Sequence, residues 1–250
     1  MKKIALITGA TSGIGEATAR LLAPHYSLII HGRRKERLRQ LKSELETETE
    51  VETISFDVRD REAVFSTIDA LPSVWKPIDV LINNAGNAHG LAPIHEGDPD
   101  DWDAMIDINV KGLLYLSKAV IPGMVERKRG HVVNIGSIAG KEVYPNGNVY
   151  CASKFAVDAI NNGMRLDLNA HGIKVTQISP GLVETEFSLV RFKGDEERSK
   201  KVYEGFKPLT GMDVAEVIQY VLSRPPHVML SDVVLFSTAQ ASSTIVNRKS

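Results

Sequence analysis

The 250-residue sequence predicts a single α/β domain, residues 1–250, built on a doubly wound parallel sheet of about seven strands with helices on both faces. Three observations predict it. Seven short runs rich in Ile, Val and Leu recur along the chain, several of them nearly continuous, as strands buried on both faces must be. Helical patterns lie between them, which implies right-handed crossovers and a parallel sheet. No repeat, linker or break in composition divides the chain, and its length suits one α/β domain with a substantial core.

The strand candidates are Ile4–Ile7, Ser27–His31, Val51–Phe56, Ile78–Ile82, His131–Ile135, Ile173–Ile178 and Val233–Phe236. The first follows two lysines and ends at Thr8-Gly9, too short for the apolar stretch of a signal peptide, and reads as a buried strand. Over 60–71, Val64, Ile68 and Leu71 repeat at helical spacing. The acidic run 96–103 reads as a helix start, with Asp98 as N-cap and Pro99 at the first helical position.

Composition narrows the function. A net charge of −1 gives no general attraction to nucleic acid or acidic membranes. No apolar stretch is long enough to span a bilayer. The single cysteine, Cys151, excludes an intrachain disulfide and points to a reducing cytoplasm. His25, His31, His89, His95, His131, His171 and His227 lack metal-ligand spacing, so no metal is expected. Trp75 and Trp102 read as packing residues.

In sheets of this kind ligands bind beyond the carboxyl ends of the strands. The first strand runs into T-G-A-T-S-G-I-G, with Gly9, Gly13 and Gly15 spaced G-x-x-x-G-x-G. Glycines there let backbone amides approach a pyrophosphate at the positive end of a helix, although a tight turn alone would also use them. After the second strand, I-I-H-G-R-R-K-E-R-L places Gly32 where an acid would hold the ribose of NAD, followed by Arg33 and Arg34. Two guanidiniums suit a 2′-phosphate, hence NADP, whereas Lys35, Arg37 and Arg39 read as a solvent-facing helical turn. In N-V-Y-C-A-S-K-F-A, Tyr150 and Lys154 share a helix face, but Tyr203 and Lys207 repeat that spacing, so spacing alone decides nothing.

Together these segments resemble the short-chain dehydrogenase/reductase family, over nearly the whole chain. T-G-A-T-S-G-I-G is similar to its cofactor loop, implying contacts from Gly9, Thr11, Ser12, Gly13, Ile14 and Gly15. F-D-V resembles the segment beside the adenine, with Asp57 and Val58. N-N-A-G supplies Asn84, Ala85 and Gly86, and I-N-V-K-G supplies Asn109. I-G-S-I-A-G supplies Ser137, and Y-C-A-S-K supplies Tyr150 and Lys154. P-G-L-V-E-T resembles the segment that clasps the nicotinamide carboxamide, with Pro180, Gly181, Val183 and Thr185. Ser137 stands 13 residues before Tyr150, whereas Tyr203 has Val190 at that offset, so Tyr203 and Lys207 read as a solvated surface pair.

The resemblance implies a Rossmann-type fold and hydride transfer between a CH–OH group and NADP. Tyr150 would be the general acid/base, its phenol lowered by the Lys154 ammonium and the positive nicotinamide. Lys154 would also bond the ribose, and Ser137 would orient the substrate oxygen. Asn109 would anchor a water relaying protons to solvent. Cys151, with no cationic partner evident in the sequence, reads as a small packing residue rather than a nucleophile.

Within the family the likeness is to the NADP-dependent 3-hydroxy acid dehydrogenases, carried above all by E-F-S-L-V-R-F-K-G-D in a substrate lid at about 183–207. It implies small substrates such as L-allo-threonine, L-serine, 3-hydroxyisobutyrate and 3-hydroxypropionate. Their carboxylate needs a cation, with Arg191 the first candidate and Lys193 the second; a solvated lid helix explains Arg191 equally well. The alternatives are a reductase of other carbonyls such as 3-oxoacyl thioesters, or a non-catalytic NADP-binding regulator. The resemblance further implies a homotetramer, which the Ser/Thr/Ala-rich tail 237–250 does not settle.

Overall fold

The computed structural model describes residues 2–249, so Met1 and Ser250, the ends of the expected domain, lie outside the described residues. In chain order the elements begin β1 (Lys3–Ile7), α1 (Gly13–Leu22), β2 (Tyr26–His31), α2 (Lys35–Leu45), β3 (Val51–Ile54), α3 (Arg61–Asp69) and β4 (Ile78–Asn83). They continue with α4 (Pro99–Ile106), α5 (Leu113–Glu126), β5 (Gly130–Ile135), α6 (Asn148–Leu168) and β6 (Ile173–Pro180). The last are β7 (Val183–Glu184), α7 (Phe187–Arg191), α8 (Glu196–Lys201), β8 (Leu209–Thr210), α9 (Gly211–Leu222) and β9 (Asp232–Leu235).

The seven expected strands form one sheet, ordered β3-β2-β1-β4-β5-β6-β9, with every pairing parallel. Alternate side chains enter opposite cores because successive residues of a strand face opposite ways. Leu6, Ile29, Leu81 and Val132 pack with Leu116, Val120 and Met124 of α5. Ala5, Ile7, Ile30 and Ile82 pack instead with Ala19 and Leu22 of α1 and Ile218 of α9. Both faces are therefore dry, which is why the strands read as unbroken apolar runs. Burying one such Leu or Ile contributes about 1.5–3 kcal/mol.

The strand order reverses between β1 and β4, and a crevice opens there beyond their carboxyl ends. Thr8 stitches its walls: its Oγ1 donates to the Ile82 carbonyl and accepts from the Asn84 and Ala85 amides, both at 2.9 Å.

The helix start at Asp98 and Pro99 is as expected, the Asp98 carboxylate accepting from the Asp100 amide. Trp75 and Trp102 pack against hydrophobic clusters. Three local features differ from expectation. β3 stops at Ile54, and Phe56 instead stacks beneath His31 at 4.2 Å. β7 and β8 form a separate two-residue parallel pair, too short to show any periodicity. Residues Asp107–Gly112 form a π-helical segment, which widens the helix where Asn109 sits. No described helix is long and apolar enough to cross a membrane.

Candidate active site

A cleft of ≈ 340 Å³ lies over the switch point. Most of the expected cofactor residues line it: Thr11 to Ile14, Arg33, Arg34, Asp57, Val58, Asn84 to Gly86, and Pro180, Gly181, Val183 and Thr185, together with Gly9. The loop needs its glycines for two different reasons. Gly9 and Gly13 have φ of 67° and 55°, the left-handed region that a side chain opposes. Gly15 lies behind the cleft, where a Cβ would sit 2.4 Å from the Gly9 carbonyl oxygen and 2.5 Å from Asn84 Nδ2. That Asn84 amide donates to the Thr8 and Gly9 carbonyls and so fixes the loop. Ser12 caps α1 without a side-chain hydrogen bond, leaving first-turn amides to an anion at the positive helix end. These residues fit a dinucleotide pyrophosphate. Gly15→Ala should lose about 1–3 kcal/mol of stability by overpacking and weaken cofactor binding, read by thermal denaturation and cofactor titration.

Around the adenosine end, Arg34 donates to Thr11 Oγ1 and its carbonyl at 3.1–3.2 Å and to Glu186 Oε2 at 2.6 Å. Arg33 lies 3.5 Å from Asp57, whose carboxyl is held down at about 2, chiefly by its hydrogen bonds from Arg59. Arg37 is exposed, as its solvent-facing reading expected, but it also reaches the Thr11 carbonyl at 3.3 Å and Glu186 Oε1 at 2.7 Å. His31, also on the cleft wall, braces the loop from beneath. No spacing marked His31 or Glu186; only the tertiary fold brings them to the cleft.

At the other end, Ser137 follows β5 and faces Tyr150 closely enough for its hydroxyl to pull the phenol's pKa down. Burial outweighs that pull and pushes Tyr150 up overall. Lys154 donates its Nζ to the Ile135 carbonyl at 3.0 Å and is lowered to about 8 by burial.

Asn109 lies behind the cleft. Its Oδ1 accepts from the Asn87 amide at 2.9 Å, while Nδ2 donates to the Asn87 carbonyl at 2.8 Å and Ser153 Oγ at 3.0 Å. Ser153 in turn donates to the Tyr150 carbonyl. Both amide hydrogens are thus spent on protein, and the side chain ties Asn87, just after the N-N-A-G segment, to the helix bearing Tyr150. Cys151 is fully buried in packing, its thiol raised by burial.

Residues 3–195 match the short chain dehydrogenase family model. The chain belongs to the short-chain dehydrogenase family. Among curated relatives it is 48% identical to the NADP-dependent 3-hydroxy acid dehydrogenase YdfG of Salmonella typhimurium, over 95% of this chain and 96% of that protein. It is 45% identical to sulfoacetaldehyde reductase 2 of Chromohalobacter salexigens, over 96% of each. Among solved structures, the closed form of a serine dehydrogenase complexed with NADP+ superposes with a TM-score of 0.93 at 43% identity, covering 97% of this chain and 98% of that one.

The segment after the family's P-G motif carries β7, α7 and α8 and places Phe187 and Val190 on the cleft. Arg191 lies off the main cleft, on a smaller adjoining cavity of ≈ 40 Å³ that shares Tyr150 as a wall. Its Nε donates to the Gly90 carbonyl, and its guanidinium stands 5.5 Å from the Tyr144 ring and 5.6 Å from the Tyr150 ring. Lys193 lines neither cavity. It is exposed and paired with Asp101 at 3.0 Å and Asp98 at 3.5 Å. Tyr203 corrects its solvated reading: α8 ends before it, and its hydroxyl donates to the Val183 carbonyl at 2.9 Å and accepts from Ser188 at 2.8 Å. It pins this segment down, while Lys207 is exposed as expected. The tail contributes too, Gln240 Oε1 accepting from the Leu182 amide at 2.8 Å and Lys249 donating its amide to Gly205 at 2.7 Å.

Proposed function

We propose that this NADP-dependent oxidoreductase acts on the CH–OH group of small 3-hydroxy acids and β-hydroxy amino acids, with residues 183–207 as a substrate lid. The observation that carries this reading is Arg191 beside the Tyr150 ring, on a cavity walled by both. A 3-hydroxy acid holds its carboxylate two carbons from the reacting carbon. One end then meets the phenol while the other meets a guanidinium fork, which matches carboxylate geometry. Lys193, spent on Asp98 and Asp101, is the weaker candidate. Similarity to a 3-hydroxy acid dehydrogenase and a serine dehydrogenase supports the same class.

NADP supplies the hydride acceptor or donor. The chain's own residues handle the proton. Burial holds Tyr150 in its proton-bearing form, the form that protonates a developing alkoxide during carbonyl reduction. In the oxidative direction the same oxygen takes the hydroxyl proton. Ser137 hydrogen-bonds the reacting oxygen and stabilises charge that develops there. Asn109 positions Tyr150 through Ser153, leaving only its oxygen for a relay water. Lys154, buried with a pKa of about 8, holds its ammonium at the ribose end.

A second reading, reduction of small anionic aldehydes, is supported by likeness to the sulfoacetaldehyde reductase. It uses the same cation with a sulfonate in place of the carboxylate. A cytoplasmic homotetramer belongs to this proposal and is read by light scattering of the purified protein.

The test is a panel of L-serine, L-allo-threonine, 3-hydroxyisobutyrate, 3-hydroxypropionate and uncharged secondary alcohols with NADP+. Arg191→Met should raise KM for the carboxylates by about 10–150-fold, the loss of a hydrogen bond to a charged group, and leave the alcohols unchanged. Binding of NADP+ without turnover of any carboxylate would refute the substrate class.

A further inference from the structure

NADP as cofactor leaves one acidic side chain unexplained. Glu186 directly precedes α7 and lines the cleft. Its two oxygens are divided between two arginines, Oε2 accepting from Arg34 at 2.6 Å and Oε1 from Arg37 at 2.7 Å. Both guanidiniums also donate to Thr11 of the glycine-rich loop. A carboxylate 152 residues away in sequence thus fills the fork between two cations beside the cofactor loop.

The side chains in these pairs are 37–45% exposed. Ion pairs that wet contribute little and exchange readily. A phosphate monoester carries about −1.5 to −2 charges and three acceptor oxygens, against one charge on the carboxylate. The two anions cannot share the fork without mutual repulsion, and the phosphate is the stronger ligand for arginine pairs.

We propose that Glu186 is a specificity-determining residue: its carboxylate competes with the 2′-phosphate of NADP for Arg34 and Arg37. The fork is occupied in alternation by the first turn of the lid and by the cofactor's phosphate. This rests on the NADP reading and adds Arg37 to the phosphate site. NAD, with a hydroxyl at that position, leaves the Glu186 pairs intact. The carboxylate therefore opposes NADP and is indifferent to NAD.

Cofactor titrations of the purified protein, followed by calorimetry, test this without turnover. E186Q should bind NADP+ about tenfold more tightly, equivalent to about 1.4 kcal/mol, and NAD+ within about twofold of the wild type. E186D, which keeps the charge, should bind both as the wild type does. R37M should weaken NADP+ about tenfold and spare NAD+. Unchanged or weaker NADP+ binding by E186Q would show that Glu186 merely positions the arginines and overturn the proposal. Equal tightening of both cofactors would overturn it as well, since a loosened lid has no reason to distinguish them. R37M stands independently of how E186Q folds: unchanged NADP+ affinity there removes the fork from the phosphate site. A wild-type protein that prefers NAD+ would sink the NADP reading itself, whereas a wild-type preference for NADP+ with E186Q unresponsive sinks the competition alone.

Discussion

Tyr150→Phe is expected to lower kcat/KM for 3-hydroxy acid oxidation by about 10²–10⁴-fold, the range a positioned acid/base contributes. NADP+ affinity should stay within a few fold, because the variant removes one oxygen from a ring that is otherwise held by packing. Tyr150 is buried against Phe187, whose ring meets it edge-on at 5.6 Å, and phenylalanine keeps that ring contact. The substitution therefore separates chemistry from folding. Stopped turnover with intact NADP+ binding and an unchanged circular dichroism spectrum is the expected result. Residual activity within threefold of wild type would move the acid/base elsewhere. A wild-type protein that binds NADP+ yet turns nothing over would instead be the silent regulator.

Mild acid should destabilise the protein through two buried histidines. Burial holds His31 down at about 4 and His131 at about 3. His31 Nε2 lies 3.1 Å from the Phe56 carbonyl and therefore donates to it, which leaves Nδ1 to accept from the Gly9 amide. A proton on Nδ1 would set N–H against N–H beneath the cofactor loop. His131 Nε2 donates to Thr176, whose own hydroxyl hydrogen is spent on the Leu230 carbonyl. Both imidazoles are neutral in the folded state, while in the unfolded chain they take up protons near pH 6.5. The unfolded state thus binds more protons below that pH. Stability is full above about 6.5 and falls as the pH drops toward the folded values. Between about pH 7.5 and pH 5 each histidine should cost about 2 kcal/mol. Together they cost about 4 kcal/mol, which for a domain of this size is a fall in Tm of about 10 °C. Thermal scans at the two pH values check this, and His131→Gln should halve the difference. Equal Tm values at both would show that these histidines are charged or exposed.

The parts of this protein legible in its sequence are those governed by periodicity and by contiguous motifs. Seven apolar runs marked the sheet because strands buried on both faces have no polar side to interrupt them. Asp98-Pro99 marked a helix start, since caps act within one turn. The glycine-rich loop, Ser137, Tyr150 and Lys154 were recognisable because each sits in a short contiguous segment that resembles a family motif, and the segments follow one another in the family's order. The Arg33-Arg34 pair, directly after the second strand, was likewise legible as a candidate site for a phosphate.

What only the tertiary structure decided lies between segments far apart in the chain. Tyr203 looked solvated because it has Val190 at the offset where Tyr150 has Ser137, yet folding carries its hydroxyl to the Val183 carbonyl. Arg37 is a surface residue, as it looked, but only folding brings Glu186 against it. The Lys154 ammonium, placed beside Tyr150 by helical spacing, is held by the Ile135 carbonyl of a strand. Asn109 spends its amide on Asn87 and Ser153, partners 22 and 44 residues away. The physical reason is common to all four. Secondary structure follows from torsion preferences and side-chain periodicity, which act over a few residues. Hydrogen bonding and charge depend on which distant groups the packed sheet and its crossovers bring within about 3 Å.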